Sequence, residues 1–213
     1  MSNVSRTKIG LIAAVPGNVM NLYRALSSCS NVDGVEIIQE YPNTTYETLI
    51  LPGVGHFQDA IEKLYETKLD EYLKNHVARG GKLIGICLGM QLLFEKSEEV
   101  KSGSSFTQID GLGILKGRVV KLNSKTLPHI GWNSISVKNS NSKCELSKYD
   151  NRYFYFVHSY KALCDDELIV AKAEYDGEII PAIVKYENVI GIQFHPEKSH
   201  KDGLALLNEV VRC

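Results

Sequence analysis

Leu83-Ile84-Gly85-Ile86-Cys87-Leu88-Gly89-Met90-Gln91-Leu92-Leu93-Phe94 is the stretch on which the reading of this chain turns. Its 12 residues carry no charge, yet they fall well short of the ~20 apolar residues that cross a bilayer. Leu83 to Ile86 reads as a buried strand and Leu88 to Phe94 as a helical stretch. Gly85-Ile86-Cys87-Leu88-Gly89 forms the joint between them. A tight strand-to-helix turn forces its middle residue into an unusual backbone conformation, and glycines two positions either side let the neighbouring elements approach without a Cβ clash. The pattern therefore has the form of a nucleophile elbow with Cys87 in the place of a serine. Its sulfur stands at a helix N-terminus, where partial positive charge favours thiolate over thiol. The competing account is a buried structural cysteine in a strand punctuated by glycines.

Working towards the N-terminus, the same alternation continues. Lys8 to Val15 reads as a strand, Asn18 as an N-cap, and Val19, Leu22 and Leu26 as one helix face. Val35 to Ile38 and Thr48 to Leu51 are short apolar runs bounded by turn residues, the second ending at Pro52-Gly53-Val54-Gly55. Phe57 to Tyr65 and Leu69 to Arg79 have helical periodicity, closed by Gly80-Gly81. Strand and helix in alternation predict an α/β fold: an open, mostly parallel sheet flanked by helices.

Beyond Glu95 the pattern changes. Gly117 to Leu122, Ser134 to Val137, Tyr153 to Val157, Ile169 to Ala173, Pro181 to Tyr186 and Val189 to Phe194 are strand-like, and Lys201 to Val211 is a closing helix. The second half thus adds antiparallel strands to the parallel core, and Ser97 to Thr107 is a candidate mobile loop.

With 213 residues, 24 Lys and Arg against 25 Asp and Glu, and 44% hydrophobic residues, the chain fits one soluble domain spanning residues 1–213. Near-neutral charge without basic blocks argues against nucleic acid or an anionic membrane surface as partner. Arg6 and Lys8 before Ile9 to Val15 superficially copy a signal peptide, but Pro16-Gly17-Asn18 follows where small cleavage-site residues belong. Five cysteines (Cys29, Cys87, Cys144, Cys164, Cys213), odd in number and without CxxC spacing, indicate neither a disulfide framework nor a zinc site. A reducing cytoplasm is the expected setting.

A cysteine nucleophile wants an adjacent imidazole to hold or accept its proton. Of six histidines, His195 ends the strand Ile190 to Phe194, and Pro196 biases it towards an extended conformation. Glu197, two residues on, is placed to turn back onto the imidazole nitrogen that faces away from Cys87, fixing its tautomer. A surface His-x-Glu pair is the competing account. Cys87 and His195 meet only if their strands end at the same sheet edge, where sites of open α/β sheets form. The N–H groups of the Gly53-Val54 loop and of Leu88 are candidates for a two-donor oxyanion hole.

Gly85-Ile86-Cys87-Leu88-Gly89-Met90-Gln91 together with Gln193-Phe194-His195-Pro196-Glu197 resembles the Cys-His-Glu triad of class I (triad-type) glutamine amidotransferases. Further pieces, from Pro16-Gly17-Asn18 and Pro52-Gly53-Val54-Gly55-His56-Phe57 to Pro128-His129-Ile130-Gly131-Trp132-Asn133, Tyr155-Phe156-Val157-His158-Ser159-Tyr160 and His195-Pro196-Glu197-Lys198-Ser199, are similar to the glutaminase-subunit subfamily of imidazole glycerol phosphate synthases.

The resemblance implies that Cys87 attacks the side-chain amide of glutamine, that His195 protonates the departing ammonia and that Glu197 orients His195. It also implies that Gln91, His158, Ser159 and Tyr160 hold glutamine, that Gly53 and Val54 belong to the oxyanion strand, and that no cofactor or metal takes part. The implied partner is a (β/α)8-barrel cyclase subunit, which receives the ammonia and makes imidazole glycerol phosphate and an aminoimidazole carboxamide ribonucleotide. Pro16, Asn18, Trp132 and Lys198 are then expected in the partner interface. Where many family members have an Asp-Tyr-Gly-like step, this chain has Ala14-Val15-Pro16-Gly17-Asn18. The alternatives are a paralogous subunit feeding ammonia to surface-sugar amidation, a cysteine hydrolase of similar fold, and a non-catalytic binding partner.

Overall fold

Strand β1 (Thr7–Ile12) pairs in parallel with both β2 (Val32–Ile38) and β3 (Thr48–Gly53), and β3 pairs in parallel with β4 (Lys82–Cys87). The computed structural model describes residues 7–15, 17–138 and 144–213. Helix α1 (Val19–Ser27) links β1 to β2; α2 (Phe57–Glu66) and α3 (Leu69–Ala78) link β3 to β4; α4 (Leu88–Leu92) follows β4 directly. This is the strand-helix alternation expected from the sequence. The boundaries move by a few residues, and α4 is shorter than the Leu88 to Phe94 reading because Phe94 opens a strand.

The second half supplies β5 (Phe94–Ser97), β6 (Ile109–Asp110), β7 (Leu115–Lys121), β8 (His129–Ser134), β9 (Ser136–Val137), β10 (Tyr153–His158), β11 (Tyr160–Leu163), β12 (Ile169–Tyr175), β13 (Glu178–Tyr186) and β14 (Val189–Ile192), then α5 (His200–Arg212). The main sheet has eight strands in the order β2-β1-β3-β4-β14-β13-β12-β9. It is parallel from β2 to β14 and antiparallel beyond, through the hairpins β13–β14 and β12–β13. Strands β11, β7, β5 and β6 form a smaller sheet, and β8 pairs with β10 in a two-stranded one. β6, β8 and β11 escape a reading by periodicity because they are short or, like His129-Ile130-Gly131-Trp132, do not alternate cleanly.

Alternation along the parallel strands divides the core into two layers. Ile50, Ile84 and Ile86 face α1 and α5, where they meet Leu22, Leu26, Leu206 and Val210. Leu49, Leu51 and Leu83 face α2 and α3, where Phe57, Ile61, Leu64 and Leu73 cover them. Helices on both faces of a mostly parallel sheet are what strands apolar on both sides require. No helix among the described residues is long and apolar enough to cross a membrane.

The segment after Ser97 is tied to α2 at its start: Lys101 Nζ lies 2.7 Å from Asp59 and 2.9 Å from Glu62, and the Phe57 N–H donates to the Glu99 carboxylate at 3.0 Å. One expectation needs correction. Cys144 and Cys213 form a disulfide with Cα atoms 5.4 Å apart across a sequence separation of 69. Cysteine spacing could not reveal that the last helix ends beside residue 144; only the tertiary fold brings the two together.

Candidate active site

Three adjacent parallel strands deliver the site to one edge of the main sheet. In the β3–β4 ladder Gly53 lies opposite Cys87, and in the β4–β14 ladder Ile192 lies opposite Ile86. The Gly53-Val54 loop, Cys87 and His195 therefore leave the sheet side by side at its C-terminal edge, the place where open α/β sheets form their sites.

The elbow has the steric character its glycines imply. A Cβ on Gly89 would overlap the Leu51 carbonyl oxygen, and one on Gly85 would stand 2.7 Å from the Gly89 carbonyl oxygen, both unyielding backbone atoms. Cys87 itself has φ 55° and ψ −113°, a conformation a side-chain-bearing residue adopts only under constraint. α4 spans five residues, so its dipole lends the sulfur less than a long helix would. The neighbouring charge is His195.

His195 is extended (φ −101°, ψ 95°) ahead of the short 3-10 turn at Pro196–Lys198. Its backbone N–H donates to the Tyr155 carbonyl at 2.9 Å. The Ser199 hydroxyl donates to the His195 carbonyl at 2.6 Å and accepts from the Tyr155 N–H at 3.0 Å. Nδ1 donates to Glu197 Oε1 at 2.8 Å, with both side chains only 2% exposed. Nε2 is buried without a hydrogen-bond partner. Burial opposes protonation of this ring, but the charge on the Cys87 sulfur, followed by the Glu197 carboxylate, outweighs it and raises the pKa to about 10.

A cavity of about 350 Å³ opens beside the sulfur. Val54 and Gly55 line it from the loop after β3, Cys87, Leu88 and Gln91 from the elbow, and Val157, His158, Ser159 and Tyr160 from the end of β10, with Glu99 and Lys198 at its sides. Gly53 stands behind the wall, where a Cβ would meet Leu88 at 3.0 Å. A larger hollow lined by Tyr41, Tyr46, Tyr72 and His76 lies at the opposite end of the strands, away from Cys87.

Side chains around the cavity differ in what they have left to offer. Gln91 Nε2 donates to the Tyr160 carbonyl at 2.8 Å and to Gln193 Oε1 at 3.1 Å, which leaves its carbonyl oxygen for a ligand. His158 has both ring nitrogens engaged, with the Tyr160 carbonyl at 2.8 Å and with His129 at 3.0 Å. It forms wall, with no polar side-chain atom to spare for glutamine. Glu99 was missed by sequence reasoning: it sits in the Ser-rich stretch, and only its folding back onto α2 brings it to the cavity. Burial holds its carboxyl above the usual range, although the Phe57 N–H and nearby His56 work the other way.

Of the expected interface residues, Pro16 lies outside the described residues. Asn18 caps α1 through its backbone, accepting the Leu22 N–H at 3.0 Å, with no side-chain cap. Trp132, 45% exposed, stacks on His200 and meets the edge of Tyr155. Lys198 Nζ lies 5.8 Å over the same Tyr155 ring. Trp132 and Lys198 are thereby brought together around one tyrosine at the mouth of the site.

The sequence model of the family described as Glutamine amidotransferase class-I matches residues 16–212. The chain is 43% identical to the imidazole glycerol phosphate synthase subunit HisH of Thermotoga maritima, over 97% of both chains. It is 40% identical to the HisH subunit of Bacillus subtilis, over 95% of this chain and 96% of that one, and 39% identical to that of Pyrococcus furiosus, over 96% and 98%. Among solved structures, PurLQS from Thermotoga maritima superposes with a TM-score of 0.73 at 19% identity, over 97% of this chain and 98% of that one. A structure described as a glutamine amidotransferase does so with a TM-score of 0.70 at 16% identity, over 96% and 98%. At those identities the structures speak for the fold alone; the family follows from the sequence matches over nearly the whole length. The chain belongs to the class I glutamine amidotransferases, in the group of the imidazole glycerol phosphate synthase subunits HisH.

Proposed function

We propose that this chain, acting as one unit, is the glutaminase subunit of an imidazole glycerol phosphate synthase. It hydrolyses glutamine to glutamate and ammonia and passes the ammonia to a (β/α)8-barrel cyclase of the HisF type. The observation that carries the reading is the placement of Cys87 beside the buried His195–Glu197 pair, on the wall of a cavity that also presents Gln91. A cytoplasmic setting suits a biosynthetic enzyme of this kind.

The chemistry runs through Cys87 and His195. The sulfur attacks the side-chain amide carbon of glutamine, and the oxyanion that forms is met by the N–H groups of Leu88 and of the Gly53-Val54 loop. When the C–N bond breaks, His195 Nε2 gives its proton to the departing ammonia, leaving a γ-glutamyl thioester on Cys87. Acylation removes the charge on sulfur that raised the His195 pKa, so the imidazole becomes basic catalyst for the next step. It accepts a proton from water, which attacks the thioester; glutamate leaves and the thiolate–imidazolium pair is restored. Glu197 holds Nδ1–H throughout and carries no proton itself.

Substrate recognition falls to the groups with unused capacity. Glu99, among the described residues the one carboxylate lining the cavity, faces the α-ammonium, and the carbonyl oxygen of Gln91 supplements it. Ser159 and Tyr160 close the wall with His158. The partner docks over the Trp132–Tyr155–Lys198 cluster. The test is glutamate release from glutamine in the presence of the barrel synthase, together with pull-down from the native organism. A chain that releases no glutamate with any partner, or that recovers a sugar-amidating enzyme, overturns the assignment.

A further inference from the structure

His129 opens β8 directly opposite His158, the last residue of β10, in the register that pairs the two strands. Both rings are buried. With both rings neutral, their hydrogen bonds admit one assignment. The Tyr160 carbonyl, 2.8 Å from His158 Nδ1, can only accept, so Nδ1 carries the proton and Nε2 is left as a bare lone pair. His129 Nδ1, 3.0 Å from that lone pair, must then be the donor. His129 Nε2 is the acceptor that remains, and the Asn133 amide faces it at 3.4 Å while donating to the Glu174 carbonyl at 2.8 Å. The chain of bonds is satisfied from end to end with both rings neutral.

Packing keeps the pair in that state. The His129 ring lies stacked against Phe156 and Tyr175, with centroids 4.9 Å and 4.0 Å away. Burial lowers its pKa to about 4. Burial lowers that of His158 to about 3, with the Tyr160 carbonyl opposing and the charges of His129 and His195 assisting. His158 is thus a second imidazole within electrostatic reach of the triad base. A free Nε2 there would be a competing proton acceptor beside the reacting groups, and a ring free to turn would release the Tyr160 carbonyl, which Gln91 also holds at 2.8 Å.

We propose that His129 is a positioning residue of the glutamine site: by donating into His158 Nε2 it locks His158 in one tautomer on the Tyr160 carbonyl, which fixes the 158–160 wall of the cavity. The inference rests on the glutaminase reading of that cavity. His129 touches neither substrate nor the reacting atoms and acts through His158 alone.

The experiment pairs imidazole 15N NMR of the full chain with glutamine kinetics in the presence of the barrel partner. Wild type is expected to show His158 as the Nδ1–H tautomer, unchanged between roughly pH 5 and 8, where an ordinary histidine titrates. His129→Phe keeps the aromatic stack and removes the donor. It should mix the His158 tautomers and raise the KM for glutamine about tenfold, with kcat changed less than about threefold, the signature of lost ground-state binding. His129→Asn, which returns an N–H near the Nδ1 position, should restore the tautomer and bring KM to within about twofold of wild type.

A wild-type His158 that titrates in that window or carries its proton on Nε2 overturns the proposal. So does a His129→Phe protein with wild-type KM, or a His129→Asn protein no better than His129→Phe. If His129→Phe does not fold, the wild-type spectrum and the Asn variant decide. A wild type without glutaminase activity counts against the cavity's assignment, and the spectra then judge His129 by themselves.

Discussion

Glu197 Oε1 stands 2.8 Å from His195 Nδ1 with only Pro196 between the two residues in the chain, and both side chains are shut away from solvent. The other carboxylate oxygen, Oε2, is buried without a partner, so the carboxylate's orientation is held by the histidine and the turn. Glu197→Gln keeps the shape and loses the charge, leaving an imidazole poorly oriented and less readily protonated. We expect kcat to fall ~10²- to 10⁴-fold, and His195→Ala to cost at least ten times more because it removes the proton carrier itself. Steady-state glutamate release with the partner present makes the comparison; a larger loss in Glu197→Gln would mean that the carboxylate does the proton transfer.

Cys87, the proposed nucleophile, has a positive φ of 55°, which predicts opposed effects on activity and stability. Cys87→Ala should fold and release no glutamate. Cys87→Gly, equally inactive, should be more stable than the alanine variant by about 1 kcal/mol, since only glycine adopts that φ without cost. Thermal melts of the two variants decide this. In Cys87→Ala the largest influence raising the His195 pKa is gone while burial remains, so the NMR titration of His195 should move down from about 10. A His195 that titrates unchanged would show that Glu197 alone sustains the imidazolium.

How far the sequence disclosed all this depends on the distance over which each feature is encoded. The elbow Gly85-Ile86-Cys87-Leu88-Gly89 and the pair His195-Pro196-Glu197 are local, and their geometry follows from residues that touch along the chain. That Cys87 and His195 meet needed only the rule that parallel strands end at a common edge. His129 and His158 were beyond reach because their contact is set by the antiparallel register of β8 and β10, which no periodicity in Pro128-His129-Ile130-Gly131 betrays. Without that register His158 looks like a free polar ligand for glutamine. Glu99 was hidden for a similar reason, since an acidic residue in a polar loop is ordinarily solvated. The eight-stranded sheet was legible in its parallel half, where apolar runs are continuous, and less so at its far edge, where β9 is two residues long.

The Cys144–Cys213 bond predicts sensitivity to reductant. It closes a sequence separation of 69 residues, which on loop-closure grounds is worth about 4 kcal/mol. For a chain of this size that is ~10 °C in Tm. Protein purified without reductant should show three free thiols after denaturation, from Cys29, Cys87 and Cys164. Dithiothreitol should expose two more and lower Tm, and Cys144→Ser should start at the lower Tm and ignore the reductant. Five free thiols in the unreduced protein would mean that the bond does not form in solution, as a reducing cytoplasm favours.

The final prediction concerns restraint, because a glutaminase that works whenever glutamine is present wastes ammonia. Two features lead us to expect the control at the Gly53-Val54-Gly55 loop. Gly55 has φ +101°, a conformation that side-chain-bearing residues rarely adopt, while Gly53 is wedged against Leu88 and Gly89, so the two ends of the loop are constrained differently. Lys198 both lines the cavity and lies over Tyr155, the ring that Trp132 also meets, so a partner docked on that cluster bears on the cavity mouth. We expect the isolated chain to be nearly inactive, the complex with the barrel synthase to be more active, and the complex with the acceptor nucleotide bound to be most active. One oxyanion donor is worth ~10² to 10³ in kcat, so a single peptide reorientation driven by docking supplies activation of that order. Gly55→Ala, which disfavours the positive φ, should change the activated rate without changing partner affinity. Equal glutamate release by the chain alone and in both complexes would leave a free-standing glutaminase whose oxyanion hole is already formed at rest.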